Sequence, residues 1–294
     1  MRDRICAVIV SYNSSPSLRE NVAQLRPQVD SLLIVDNGSR SECLAMLEEI
    51  RADHACQIIH NKSNLGVAGA LNIGVDFAIQ NGFDWIVTFD QDSRVPDSFI
   101  ASLLQTYRDD PSQDKVAMVL PSYFDPSSQL DLSRIRCTYV ARNGAILAGW
   151  TSGAITKTKV FQSCGGFRDD LFIDRVDTEF CLRINRRGWR IIQSERAVLL
   201  HTLGHISSRE LFGRTLYATN HSAGRRYYIA RNRLLVWWSY LPVYPAFVAE
   251  DLLGFAKEMA IVLLMEREKA KKLRATFLGI LDALVGRFGF RVKL

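Results

Sequence analysis

The sequence has no C-x-x-C pair, no apolar run of membrane-spanning length, no internal repeat and no low-complexity tract. Each absence removes a class of protein. Six cysteines (Cys6, Cys43, Cys56, Cys137, Cys164 and Cys181) are scattered along 294 residues, which excludes a disulfide scaffold, a zinc ribbon and a redox pair. Reduced, buried thiols are the reading that remains. The stretch from Leu234 to Ala249 carries no charge over sixteen residues but is interrupted by Pro242 and Pro245; a span needs about 20. The apolar segment after the charged start is about six residues, short for a signal-peptide core, so a cytosolic active domain is expected. Neither G-x-x-x-x-G-K-[ST] nor a G-x-G-x-x-G after the first strand occurs, and the P-loop and dinucleotide readings both fail.

What is present is a globular composition, 48% hydrophobic and 23% charged, long enough for one large or two modest domains. The net charge of +6 is unevenly placed: from Lys257 to Leu294 there are nine basic and four acidic residues. Such an asymmetry points to an anionic surface. No nucleic-acid-binding motif accompanies it, so nucleic acid is not expected as a partner.

The first ninety residues alternate strand-like and helix-like segments, the pattern of a parallel sheet flanked by helices. "CAVIVSY", "SLLIV", "CQIIH" and "DWIVTFDQD" read as strands, with helices at "SSPSLRENVAQL", "SECLAMLEEIR" and "GVAGALNIGVDFAIQNG". Ser15, and Ser39 or Ser41, are the expected helix caps. Further on, "KVAMVLPSY" reads as a strand, "FDPSSQLDLSR" as a surface loop, and "VDTEFCLRINRRG" as a helix closed by Gly188.

Four loops then fall at the carboxyl ends of strands, where open α/β sheets bind ligands: Ser11–Asn13, Asp36–Ser39, Asn61–Asn72 and Asp90–Ser93. Asp90 and Asp92 are expected to converge on one ligand, because i and i+2 side chains of an extended segment share a face. Two hard oxygen donors there suit Mg²⁺ or Mn²⁺ bridging a diphosphate. Arg225, Arg226, Arg231 and Arg233 fit either a solvated basic face or a clamp for phosphate or anionic lipid. Trp150, Ser152 and Gly153 fit either an acceptor loop or a tight turn. His201 reads equally as a hydrogen-bonded strand-end histidine or a metal ligand.

Taken as a set, "VSYN", "VDNGS", "NLGVAGALNIGV" and "FDQDS" resemble glycosyltransferase family 2, and "SGA…GGFRDDLFIDRVDTEFCLR…HTLG…RRYYIARN" is similar to its rhamnosyltransferase branch, over roughly Ile5 to Trp238. The resemblance implies a GT-A fold, a nucleotide-sugar donor (dTDP-L-rhamnose), a divalent metal and inversion at the anomeric carbon. By it, Ser11, Tyr12, Asn13 and Asp36 hold base and ribose. Asn37, Asn64, Gly66, Asp90, Arg225 and Arg226 join them in the donor site, and Asp92 with His201 binds the metal. Trp150, Ser152 and Gly153 face the acceptor. The family's catalytic base lies in a motif that usually reads Glu-Asp-x-Asp. Here the stretch is Val176-Asp177-Thr178-Glu179, which places the base at Asp177, with Glu179 a weaker match and Asp174 a nearby rival.

The implied domains are a GT-A unit over 1–235, divided into a nucleotide-binding half (1–93) and an acceptor-binding half (94–235), and an amphipathic helical region over 236–294. Apolar positions at helical spacing with interleaved Lys and Arg suit an in-plane membrane helix, so peripheral attachment to the inner face of the membrane is expected, where a lipid-linked glycan is the acceptor. The alternative is a helical hairpin packed on the catalytic domain or on a second copy in a homo-oligomer. Three rival functions remain: a UDP-sugar donor such as UDP-galactofuranose or UDP-glucose, a non-catalytic scaffold, and a nucleotidyltransferase.

Overall fold

Six of the seven residues of the first strand, β1 (Ile5–Ser11), are buried, as expected of a strand covered on both faces at the centre of a parallel sheet. In the computed structural model, which describes residues 2–125, 130–131, 138–200, 207–211 and 214–293, β1 pairs in parallel with β2 (Ser31–Asp36) and with β4 (Trp85–Asp90). Strand β3 (Gln57–His60) extends the sheet beyond β2. The chain thus moves outward from β1 to β3 and returns across β1 to β4. The carboxyl ends of β1 and β4 form the topological switch point of the sheet, where such folds place their ligands.

The linking helices are α1 (Ser17–Leu25), α2 (Ser41–His54) and α3 (Gly66–Gln80). Helix α3 packs on β1 and β2 through small residues. At Gly74 any side chain is excluded, since a Cβ there would stand 2.2 Å from Val8 Cγ1. The expected serine caps do not form. Pro16 and Arg40 occupy the cap positions of α1 and α2, Ser15 bonds to the Ser17 hydroxyl, and Ser39 Oγ instead accepts the Asn13 N–H.

The remainder of the sheet was less legible. Helix α4 (Phe99–Asp109) packs on β5 (Val116–Asp125) and β10 (Arg190–Leu200), and a two-residue strand, β6 (Leu130–Asp131), pairs with β5. A hairpin of β7 (Thr138–Val140) and β8 (Ile146–Gly149) follows, then β9 (Ile155–Lys157), α5 (Thr158–Cys164) and α6 (Val176–Arg186). Strand β9 inserts antiparallel between β4 and β5, giving the order β10-β5-β9-β4-β1-β2-β3. The segment read as a surface loop lies largely outside the described residues.

Two compact units result, one of residues 1–169 with 176–202, the other of residues 170–175 with 203–294. The expected boundary at 235 therefore differs from the observed division. Helix α7 (Ala223–Tyr240), expected with the catalytic domain, packs along α9 (Lys269–Leu284) in the second unit, which also holds the hairpin β11 (Ser207–Leu211) and β12 (Arg214–Ala218) and helix α8 (Pro245–Met265). The solvated-face reading of the α7 arginines is corrected for three of them: Arg226, Arg231 and Arg233 are all buried. Arg226 is ion-paired to Glu258 and to Glu266, the latter at 2.6 Å, and Arg233 reaches Asp251 at 3.1 Å and Glu258 at 2.8 Å. Leucines 253 and 264 of α8 and Phe277 and Leu284 of α9 are exposed. Among the described residues no helix is long and apolar enough to cross a membrane.

Candidate active site

Strand register brings the first predicted residues to one edge of the sheet. Ser11, the last residue of β1, pairs with Asp36, the last of β2, and Val10 pairs with Asp90, the last of β4. The loops that follow are tied to one another by backbone and side-chain bonds. Asn37 N–H donates to Ser11 O at 2.7 Å, Tyr12 N–H to Gln91 Oε1 at 2.8 Å, and Ser11 Oγ lies 2.8 Å from Ser14 Oγ. Asn13 has a left-handed φ of 48°, and its Oδ1 accepts Arg40 N–H at 3.0 Å. The Tyr12 ring is exposed.

Asp36 is buried, an arrangement that demands partners for its carboxylate. Ser39 N–H lies 3.3 Å from Oδ1, and His60 Nδ1 stands 3.3 Å from Oδ2, with the other ring nitrogen 3.1 Å from Glu48. His60 was not singled out from sequence. Its position opposite Asp36 in the β2–β3 register is what brings it there.

Asn37, expected to touch the donor, has a structural task instead. Its Nδ2 donates to Asn64 Oδ1 and Gly66 O, each at 3.0 Å, and its Oδ1 accepts from Leu65 N–H at 2.9 Å and Asn61 Nδ2 at 3.2 Å. Both amide protons and both lone pairs are engaged. Asn64 Oδ1 also accepts Gly66 N–H at 2.8 Å. Asn37 thus locks the loop that starts α3 to the end of β2. Asn37→Ala removes the hydrogen bonds that tie the Asn61–Gly66 loop to the end of β2, each worth about 0.5–1.5 kcal/mol; we expect a lower Tm together with a several-fold rise in donor KM, read by thermal melting and steady-state kinetics.

The Asp90-Gln91-Asp92 segment corrects the argument used to find it. Strand β4 stops at Asp90, and Gln91 and Asp92 form a turn closed by a 3.2 Å bond from Ser93 N–H to Asp90 O. The two carboxylates share a tight turn at the sheet edge, and both residues are exposed there. Ser152 pins this turn. Its Oγ accepts Asp90 N–H at 3.0 Å and lies 2.8 Å from Ser93 Oγ, and all three hydroxyl and amide groups belong to this one junction. Ser152 and Ser93 are buried, so Ser152 supports the acidic turn rather than facing solvent as an acceptor contact.

Gly153 is required for the same reason. Its φ is 77°, its N–H donates to Thr88 O at 2.6 Å, and a Cβ would stand 2.9 Å from Leu199 Cδ2. Trp150 alone of the three is partly exposed, its ring edge-on to Tyr123 at 5.2 Å, whose hydroxyl donates to Trp150 O and Ser152 O.

Asp177 lies in the first turn of α6, half-buried, with Thr178 N–H donating to its Oδ1 at 2.7 Å. Glu179 is buried and paired through both oxygens with Arg183, at 3.1 and 2.8 Å. Arg183 in turn holds the carbonyls of Cys164, Gly165 and Gly166. Glu179 is thereby a structural acid. Asn72, the last residue of the stretch read as the third loop, lies in α3, bonds reciprocally to the backbone of Phe167 at 2.7 and 2.8 Å and fixes the other end of the Gly-Gly segment.

In the helical unit, Asp174 accepts three bonds of 3.1–3.2 Å from Arg225, and Arg226 is the buried ion-pair centre described above. Arg226, expected at the diphosphate, is thus enclosed by carboxylates. His201 lies outside the described residues. Among those described, no cluster of three or more His, Cys, Asp or Glu forms a metal cage. The donor set available is the pair of carboxylates on the Asp90–Asp92 turn. It fits Mg²⁺ or Mn²⁺ of the kind held by one or two carboxylates together with substrate phosphates.

A parallel sheet whose switch point is lined by Ser11, Asp36 and an acidic turn, with a carboxylate on a following helix, defines a GT-A-like glycosyltransferase. The architecture is shared with a mannosyltransferase from Pyrobaculum calidifontis solved with GDP-Man and Mn²⁺ (TM-score 0.63, 17% identity, 98% of this chain and 87% of that one). It is shared also with S. aureus TarS 1-349 solved with UDP-GlcNAc (TM-score 0.62, 14% identity, 97% and 83%). The model of glycosyl transferase family 2 matches residues 6–172, and the chain belongs to that family. Among curated proteins it is similar to the dTDP-rhamnosyl transferase RfbF of Shigella flexneri, at 27% identity over 98% of both chains. It also resembles the galactofuranosyltransferase GlfT1 of Mycobacterium tuberculosis, at 22% over 79% of this chain and 82% of the other.

Proposed function

We propose that the enzyme transfers L-rhamnose from dTDP-L-rhamnose, with inversion, to a hydroxyl of a lipid-linked glycan at the inner face of a membrane. The end-to-end likeness to the Shigella rhamnosyl transferase carries the donor assignment. Ser11, Tyr12, Asn13 and Asp36 hold the base and ribose, the exposed Tyr12 ring offering a stacking face. Asp90 lies toward the ribose, and Asn64 and Gly66 shape the loop beside it. Asp92, with Asp90, would hold Mg²⁺ or Mn²⁺, which supplies positive charge to the leaving diphosphate. Asp177 takes the proton of the acceptor hydroxyl as that oxygen attacks the anomeric carbon from the face opposite the leaving group. Trp150 offers an aromatic surface to the acceptor. The exposed apolar positions of α8 and α9, with the basic residues of the tail, suit attachment to an anionic membrane surface.

A second reading keeps the mechanism and changes the donor to UDP-galactofuranose, favoured by the likeness to GlfT1. Release of nucleoside diphosphate from dTDP-L-rhamnose, UDP-galactofuranose and UDP-glucose, with Mg²⁺, Mn²⁺ or chelator, separates the two. We expect metal-dependent dTDP release that falls at least a hundredfold in Asp92→Ala. Release from a UDP-sugar alone rejects the rhamnose assignment and leaves the mechanism in place.

A further inference from the structure

A nucleotide-sugar is a two-ended ligand, with a nucleoside at one end and a metal-bound diphosphate at the other. The residues assigned to those ends lie on different loops: Tyr12 and Asn13 follow β1, whereas Asp90 and Asp92 stand at the exit of β4. A ligand that spans two sites gains from both only when their separation is held to match it.

The loop after β1 is tied to the β2 side by several contacts. Asn13 N–H donates to Ser39 Oγ at 2.8 Å, Asn13 Oδ1 accepts Arg40 N–H at 3.0 Å, and Cys43 Sγ stands 3.8 Å from Ser14 O. Toward the acidic turn it has a single tie. Tyr12 N–H donates to Gln91 Oε1 at 2.8 Å, the one hydrogen bond among the described residues between 12–14 and 90–93. A backbone N–H requires the amide oxygen, which fixes how the half-buried Gln91 side chain is turned. The backbone beneath it is anchored on two sides. Asn21 of α1, itself buried, donates from Nδ2 to Gln91 O at 3.0 Å, and Ser152 Oγ accepts the Asp90 N–H. Gln91 therefore sits on a held turn, between the two acids, with its side chain on the neighbouring loop.

We propose that Gln91 is a positioning residue for donor binding: it fixes the loop that receives the nucleoside against the turn that receives metal and diphosphate, so that one molecule engages both. The inference rests on the assignment of these two loops to the two ends of the donor. Neither end needs Gln91 in order to bind by itself, and this is what separates a tie from a ligand contact.

Titration calorimetry with three probes reads the two roles apart: thymidine for the nucleoside end, Mg²⁺ with inorganic pyrophosphate for the metal end, and Mg²⁺ with dTDP for both together. Gln91→Met keeps the length of the side chain and removes the acceptor. We expect it to bind thymidine and Mg²⁺-pyrophosphate within about twofold of wild type, and Mg²⁺-dTDP at least about tenfold more weakly. Gln91→Glu keeps the accepting oxygen and loses the amide protons. Its added charge acts on the diphosphate end, so its dTDP affinity is divided by its own pyrophosphate affinity, and that ratio should return to within about threefold of wild type. The stoichiometry of dTDP binding counts the folded molecules. Should Gln91→Met not fold, Gln91→Ser, too short to reach Tyr12, is measured against the same criteria. A dTDP affinity of Gln91→Met within threefold of wild type overturns the proposal. So does a loss of dTDP affinity matched by an equal loss for thymidine or pyrophosphate, which makes Gln91 a local contact. A Gln91→Glu ratio as low as that of Gln91→Met overturns it too, since the role then belongs to the amide protons. The underlying assignment is tested in the wild type and in Asp92→Ala: no thymidine binding in the first, or undiminished Mg²⁺-pyrophosphate binding in the second, rejects the loop assignment and this inference with it. Where both controls behave as assigned and Gln91→Met still binds dTDP like wild type, this inference alone is rejected.

Discussion

Asp177→Asn is expected to lower the transfer rate about a thousandfold, the middle of the range for losing a general base. The attacking hydroxyl must shed its proton as the new bond forms, and an amide of the same shape cannot accept it. Structure should survive, because Asn retains an oxygen to receive the Thr178 N–H that now bonds the carboxylate. Donor KM should move little, since the proposed assignment gives the nucleotide to the loops after β1 and β2. Steady-state transfer kinetics with a thermal melt on the same sample check both halves. Glu179→Gln is the internal contrast. It breaks the pair with Arg183 that ties down the Cys164–Gly166 carbonyls, so Tm should fall while the rate per folded molecule is retained. The reverse pattern in the two variants would transfer the base role to Glu179.

The second large effect is on stability. Glu266 has a fully buried side chain between Arg226 at 2.6 Å and Lys272 at 2.7 Å. Glu266→Gln leaves the buried Lys272 ammonium without its counter-charge, and breaking a buried pair in this way costs about 3–5 kcal/mol. Urea unfolding at pH 7 followed by circular dichroism should show it. The pH dependence follows from the same groups. Burial pushes the carboxyls of Glu266, Glu258 and Asp251 upward, but their partners outweigh it: the hydrogen bond from Lys272 and the Arg226 charge at Glu266, Arg233 and Arg226 at Glu258, Arg175 and Arg233 at Asp251. All three are held below the ordinary carboxylate value.

A carboxylate depressed in the fold stabilises it fully above the unfolded value of about 4 and loses that stabilisation as pH falls through the folded value. His221 acts in the same direction. Burial, with Arg225 second, pushes it down to about 4, so between about pH 6.5 and 4 the unfolded chain binds a proton that the native chain does not. Stability should therefore decline below about pH 6.5 and steeply below 4. The gap between wild type and Glu266→Gln should close at the acid end, where the carboxylate is neutral in both states.

Periodicity made the first half of the fold readable. Strands β1 to β4 and helix α3 are long or strongly patterned, and because each parallel strand ends at the same edge of the sheet, the loops after them could be assigned to one site without coordinates. Strand β9 could not be found in this way. Three residues carry no period, and only the gap between β4 and β5 makes a strand of them. The caps failed for a similar reason, since Ser39 had a competing partner across the loop in Asn13.

The residue types of the proposed site were also legible in the sequence, since acids at a strand exit and an acid opening a later helix are local facts. What each polar side chain does was decided by its neighbours. Asn37 and Ser152 looked like ligand contacts but have their hydrogen-bonding groups engaged by other loops, and Glu179 is taken up by Arg183. Arg226, on a charged stretch that read as surface or clamp, is buried because two acids lying 32 and 40 residues further along the chain meet it there. The sequence by itself determined the alternation that makes a parallel sheet and the acids placed at its exits, because both are properties of neighbouring residues. Only the tertiary structure decided which polar groups stay open to a ligand, because the pairing of a buried donor or charge depends on residues far away in the chain.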